Sequence, residues 1–202
     1  MKPPFHISHF CHIKNEKLYL NGTEIFNGDQ SNFALFAKDA YNDLGIKYSR
    51  FFKMDNLSKL AFLAAELILK NTDTSSEDIA MIFSNKASSL DTDRKHQQSI
   101  SNKEHYFPSP SVFVYTLPNI CIGEICIRHK QFSENSFFIF DSFNAQPLFD
   151  QANSLLEMKK ASKALCGWVE FDNENYEAFL YLVEKTGDRP HTIDEINRLY
   201  TT

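Results

Sequence analysis

Glycine and tryptophan are scarce in this chain, with six glycines and one tryptophan among 202 residues. So few glycines, scattered singly, leave no G-x-G-x-x-G or phosphate-cradling loop, and no G-x-S-x-G nucleophile elbow occurs. The four cysteines, Cys11, Cys121, Cys126 and Cys166, lack CxxC spacing. Three of them sit in apolar stretches, which suits reduced packing residues in a cytoplasm rather than a disulfide framework. No uninterrupted apolar run is long enough to cross a bilayer. The opening MKPPFHISHFCHIK lacks the basic start and apolar core of a secretory signal, so a cytoplasmic location is expected. With a net charge of -5 and no dense basic block, the usual electrostatic reason to bind nucleic acid or an anionic membrane is missing.

What the chain does have is phenylalanine. Nineteen of them make a heavy supply of large apolar side chains, some of which are expected at an interface. With 43% apolar and 23% charged residues, the composition is that of an ordinary globular protein, and the length fits one domain over 1–202.

Periodicity and turn chemistry give an α/β order. Phe5 to Ile13, Lys17 to Leu20 and Thr23 to Phe26 read as a meander, turned at Lys14-Asn15-Glu16 and at Asn21-Gly22. A short helix follows around Phe33 to Tyr41. From a cap at Asp55 or Asn56, residues 57–70 (LSKLAFLAAELILK) form a helix apolar on nearly every side, which Asn71 to Ser76 ends. Asp78 to Ser84 then reads as a strand covered on both faces. Asp91 to Ile100 is a solvated helix, and Pro108 and Pro110 impose extended backbone. Pro118 starts a helix over 119–130, with Glu124 and Arg128 paired at i,i+4 on its polar side. Ser136 to Phe140 is a second buried strand, Pro147 to Lys160 an amphipathic helix, and Ala164 to Phe171 a third strand. The segment 176–185 returns antiparallel to it, and Thr192 caps a terminal helix.

Candidate chemistry is sparse. His6, His9, Cys11 and His12 are the ligand types zinc prefers, but strand alternation puts His6 and His12 on one face and His9 and Cys11 on the other, so ordinary strand histidines outweigh a metal site. Asp91, Asp93, Arg94 and His96 offer a carboxylate and an imidazole for acid-base work, against the commoner reading of a solvated face. Ser84, Ser88 and Ser89 follow a strand without an elbow. Cys121 and Cys126, five apart on a helix, turn to different sides and read as packing thiols. No cofactor and no metal is expected.

The stretch FPSPSVFVYTLPNICIGEICIRHK (107–130) resembles the β-ketoacyl synthase segment in which a proline-serine-proline turn leads to Leu-Pro-Asn and a helix containing Gly-Glu-Ile. Residues 50–69 before it, and 133–146 and 161–171 after it, fall in that family's order, so the likeness runs from about residue 50 to 185. It implies the N-terminal half of a thiolase-like fold: a mixed sheet of about five strands layered with helices. In the family, the strand matching Ser136–Phe140 ends at Thr-Ala-Cys, whose cysteine is acylated. Here the run is Phe140-Asp141-Ser142-Phe143-Asn144, which sets Phe143 at the nucleophile's position. A shift of one residue sets Ser142 there instead.

A phenyl ring cannot form a thioester, and the histidines that complete the family's site belong to a second half that does not follow here. The resemblance therefore implies a non-catalytic subunit, similar in role to a chain-length factor, in fatty-acid or polyketide-type synthesis. Its expected partners are a full-length ketosynthase and an acyl carrier protein. Phe137, Phe138, Ile139 and Phe140 match the strand that family dimers pair across their two-fold axis, so a homo- or heterodimer is expected there. Two rival readings remain: a hydrolase or acyltransferase that uses Ser142, or Asp91 and His96, on thioesters, and a scaffold that only dimerises.

Overall fold

The computed structural model describes residues 4–28, 32–70, 72, 78–104 and 106–202. The expected meander is present as β1 (His6–Lys14), β2 (Lys17–Leu20) and β3 (Thr23–Asn27). Asn15 and Glu16 both turn with positive φ, the backbone that two-residue hairpin turns need, and Asn21-Gly22 repeats it. Helix α1 (Phe33–Asp43) and a 3-10 turn (Ser49–Lys53) lead to α2 (Asn56–Leu69), whose N-cap Asp55 accepts the Ser58 N–H at 2.9 Å. The predicted stop for this helix at Asn71 to Ser76 lies, apart from Thr72, outside the described residues.

Strand β4 (Ile79–Asn85), helices α3 (Leu90–Ser101), α4 (Pro110–Val114) and α5 (Ile120–His129), and strand β5 (Asn135–Ile139) follow. The chain ends with α6 (Ala145–Glu157), β6 (Lys163–Asp172), β7 (Asn175–Glu184), the two-residue β8 (Arg189–Pro190) and α7 (Ile193–Thr201). Among the described residues, eight strands join one mixed sheet in the order β3-β2-β1-β7-β6-β4-β5, with β8 beside β1, against the five or so expected. Strands β5, β4 and β6 run parallel, and β7 returns antiparallel to β6.

Helices cover both faces. On one lie α1, α2 and α5, burying Phe36, Leu60, Phe62, Leu63 and Ile125 against Leu165, Val169 and Leu180. On the other lie α6 and α7, burying Leu148, Ala152, Ile196 and Leu199 against Ile82, Cys166 and Tyr181. Each fully buried Leu, Ile or Phe in these layers contributes about 1.5–3 kcal/mol. Gly167 sits where β6 passes tightly along β7: a Cβ there would lie 1.9 Å from the Phe179 carbonyl oxygen, so only glycine fits.

Four expectations change. Pro110 does not extend the chain but opens α4, because Ser109 caps that helix and a fixed φ suits a first helical position. Glu124 and Arg128 do not pair with each other. Glu124 is buried, at 2% exposure, and takes Arg50, while Arg128 reaches Glu66 on α2, so the α5 side expected to be polar packs inward. Strand β5 is not buried but is the partly exposed end strand of the sheet. Last, a bulge between Ile7 and His9 shifts β1 by one residue, so His6 opposite Glu184 and His12 opposite Phe179 lie on opposite faces.

Candidate functional site

The parallel strands β4 and β5 end together while β6 runs on to Asp172, and in open α/β sheets the crevice at the carboxyl ends of such strands is where ligands bind. Two loops build this edge. After β4, the Glu170 carboxylate accepts the N–H groups of Lys86 and Ala87 at 2.6 and 3.2 Å. Asn85 and Ser88 close the same loop through two hydrogen bonds, and the Ser89 hydroxyl donates to the Thr116 carbonyl at 2.7 Å. After β5, residues 140–144 turn the chain into α6, where Asn144 caps the helix by accepting the Gln146 N–H at 3.2 Å. Lys86, Ile139, Phe140, Asp141, Ser142, Phe143 and Asn144 line an open depression at this edge.

Within the turn, two neighbours point opposite ways. Ser142 is exposed, and its hydroxyl has no hydrogen-bond partner among the described residues. Phe143 turns inward. Its ring stacks on Tyr200 of α7 with centroids 4.1 Å apart and meets Phe179 edge-on at 5.6 Å and Trp168 edge-on at 6.4 Å. His12 stacks on the same Phe179 at 4.7 Å, and the Tyr200 hydroxyl donates to Glu177 at 2.9 Å. Burial and the Glu177 carboxylate push the Tyr200 phenol up, so it stays protonated. The inner wall of the turn is thus an aromatic box of Tyr200, Phe179 and Trp168 around the phenyl ring.

Other sequence candidates do not converge here. Asp91 is held by Lys95 at 2.6 Å, and the His96 ring packs against Phe113 at 5.3 Å, five residues and more than a quarter turn away. Arg94 pairs with Asp172. Ser84 is fully buried and donates to the Gly167 carbonyl at 3.1 Å, which occupies the hydroxyl a nucleophile would need free. Cys121 is buried and its thiol is pushed up by that burial, as is the Cys126 thiol, which sits 3.7 Å from the Met81 sulfur. Cys11 and His12 face opposite layers. Among the described residues no three His, Cys, Asp or Glu side chains come together as a metal-binding group.

The stretches that carry the family resemblance hold the scaffold together. Glu124 of the Gly-Glu-Ile run receives Arg50 at 2.7 Å and the Tyr115 hydroxyl at 2.9 Å, tying α5 to the 3-10 turn and the segment after α4. Glu66 of α2 receives Arg128 at 3.0 Å and His129 at 2.8 Å from α5. Burial pushes the Glu66 carboxyl up, but these two partners outweigh it and hold it below the usual range. Tyr200, Phe179 and Trp168, which shape the box, were not singled out in the sequence. Tyr200 lies 57 positions after Phe143, and no local pattern links them.

The sequence matches no protein-family model and no curated protein. Solved structures are similar to it in shape. One chain of a complex between the ketosynthase ApeO and its chain length factor ApeC, from Xenorhabdus doucetiae, superposes with a TM-score of 0.63 at 15% identity, over 99% of this chain and 91% of that one. The ishigamide ketosynthase/chain length factor gives 0.61 at 16% identity. A type II polyketide synthase acyl-carrier protein in complex with its ketosynthase, AntDE:AntF, gives 0.65 at 12%. These last two are covered over only 64% and 63% of their length, against 93% and 91% of this chain. Taken with the parallel β5-β4-β6 edge and helices on both faces, the likeness settles the architecture: the chain has the thiolase-like fold of the ketosynthases, over a partial span of it.

Proposed function

We propose that this chain is a non-catalytic, chain-length-factor-like subunit that works beside an active ketosynthase and an acyl carrier protein in polyketide- or fatty-acid-type synthesis. The observation that carries the reading is Phe143. At the strand-to-helix turn that the family resemblance matches to the acylated cysteine, the chain offers a phenyl ring packed against Tyr200 and Phe179, and that ring cannot accept an acyl chain. Two of the similar structures hold a ketosynthase with its chain length factor, and a third holds a ketosynthase with its carrier protein, which supports the choice of partners.

The surface supports a partner as well. Strand β5 is the end of the sheet, and Phe137, Phe138, Ile139 and Phe140 line it, with Ile139 half exposed. An unpaired apolar edge is a template for another strand. Phe107, Phe113, Val114 and Leu117, in the stretch that resembles the ketosynthases, are exposed too, more apolar surface than a lone soluble subunit needs. In this reading β5 pairs across a two-fold axis, as a homodimer or with the ketosynthase.

The test is co-expression with a ketosynthase and its carrier protein. The proposal expects co-purification, products whose chain length changes when this chain is left out, and no acyl group on residues 140–144 by mass spectrometry. Ile139→Lys is expected to break the association. An acyl adduct on the turn, or no association with any ketosynthase tried, would overturn it. The rival thioester enzyme using Ser142 lacks a base bonded to that hydroxyl, so Ser142→Ala is expected to leave any thioesterase background unchanged.

A further inference from the structure

Helix α7 lies on the sheet above two buried histidines, one near each of its ends. His191, two residues before α7, is 2% exposed. Its ring packs between Phe149 at 4.9 Å and Tyr181 at 6.0 Å, its Nδ1 sits 3.2 Å from the Asn153 Oδ1, and its backbone N–H donates to the Phe5 carbonyl at 3.1 Å. His12, on β1, is 3% exposed, stacked on Phe179 and 6.4 Å from Tyr200 in the last turn of α7. In both rings Nε2 is buried without a hydrogen-bond partner among the described residues.

We infer that α7 is an acid-sensitive lid: protonation of His12 and His191 releases it from the sheet and uncovers the turn at Ser142 and Phe143. An imidazolium carries a second N–H, and here that N–H would point into apolar packing with no acceptor. The side chains facing the rings offer no relief, and at His12 the Tyr200 backbone opposes burial without outweighing it. Around His12 stand Phe10 on its own strand, Phe179 on β7, and Lys14, whose charge repels a second cation. Glu177 on β7 is already engaged by Tyr200 of α7. Around His191 stand the neutral Asn153 and Phe149 of α6 and Tyr181 of β7, while Arg189 in its own segment lies over Phe10. Burial accordingly pushes both rings down to about 4, with Lys14 adding to the effect at His12 and a hydrogen bond to the Tyr200 backbone opposing it.

The lid can leave without breaking the sheet, because α7 contributes no strand to it. What holds it is the Thr192 cap, the apolar contacts of Ile196 and Leu199, the stacking of Tyr200 on Phe143 and the Tyr200–Glu177 hydrogen bond. Once the helix lifts, both histidines reach water and titrate near the ordinary value of about 6.5, so the open form takes up two more protons than the closed one. The inference does not depend on the partner proposed above.

Hydrogen exchange of the 191–202 peptides between pH 8 and 5, corrected for the intrinsic rate, tests it on the intact chain. Below pH 6 the opening constant is expected to rise about 100-fold per pH unit, the slope for two protons, while α2 and β6 stay protected. Trp168, the chain's sole tryptophan and a neighbour of Phe143, is expected to shift its emission to the red over the same range. His12→Gln or His191→Gln should cut the slope to about tenfold per unit. Protection of α7 that ignores pH, or that fails together with α2 and β6 at a slope the substitutions leave alone, overturns the lid. Should the variants not fold, the wild-type chain still decides by NMR titration: both imidazoles must titrate below pH 5.5, and a value at or above 6.5 for either refutes the inference.

Discussion

On the α2 face of the sheet, two buried carboxylates, Glu66 and Glu124, are each met by an arginine and by a second partner, although Glu124 Oε2 and His129 Nε2 find no aligned hydrogen bond. On the α7 face the buried polar groups include two imidazoles, each with an Nε2 that has no hydrogen-bond partner among the described residues and each favouring its uncharged form. Both faces are closed by helices of similar length. What separates them is the fate of a proton: on the first face Arg128 and His129 hold the Glu66 carboxyl below the usual range, while on the second burial disfavours the charged forms of His12 and His191. The first face carries the scaffold of the ketosynthase-like stretch, and the second carries the turn with Phe143.

The sharpest way to break this contrast is at the sheet both faces share. Gly167→Ala drives a Cβ into the Phe179 carbonyl, and β6 cannot shift without parting from β7, so a loss of more than about 4 kcal/mol is expected, read as failure to purify folded protein or as collapse of the urea midpoint. On the α2 face alone, Glu66→Ala leaves Arg128 and His129 facing each other with no anion between them. A cost of about 3 kcal/mol in urea unfolding at pH 7 is expected, with Arg128→Ala adding less than its own single effect.

Acid sharpens the comparison from the other side. His12 and His191 have folded values lowered to about 4 from an ordinary 6.5, so their contribution is fully present above pH 6.5 and is lost as pH falls from there toward 4. Each accounts for about 3 kcal/mol across that window, measured as stability against pH in the wild type and in the glutamine variants. Phe143→Ala removes a half-buried ring and its stacking on Tyr200, and about 1–2 kcal/mol is expected by thermal unfolding. At the small end, Ser142→Ala changes an exposed hydroxyl with no partner, and stability should stay within about 0.5 kcal/mol of wild type.

Much of the fold could be read from short-range patterns. The meander follows from two turn motifs that favour positive φ, α2 from an apolar run behind a capping aspartate, and α7 from Thr192, whose hydroxyl accepts the Glu195 N–H at 3.2 Å. Misreadings arose where the deciding neighbour was far away. Glu124 and Arg128 have the spacing of a surface pair, but Arg50 and Glu66, brought by other elements, draw them apart. Four apolar residues at 137–140 look like a core strand, and only the strand order shows that β5 has one neighbour instead of two. Alternation along β1 fails at a single bulge. Of the site, the strand-to-helix turn and the residue pair Ser142–Phe143 were visible, but the direction in which each points was not.

The sequence by itself determined the elements, their caps and turns, and the absence of a thiol at the turn after β5, because each rests on residues within a few positions of one another. Tertiary structure alone decided what those residues meet: that Phe143 is walled in by Tyr200, that two glutamates become clamps, and that two histidines are sealed beneath the last helix. Burial and partnership are properties of side chains brought together from distant positions, and no local pattern encodes them.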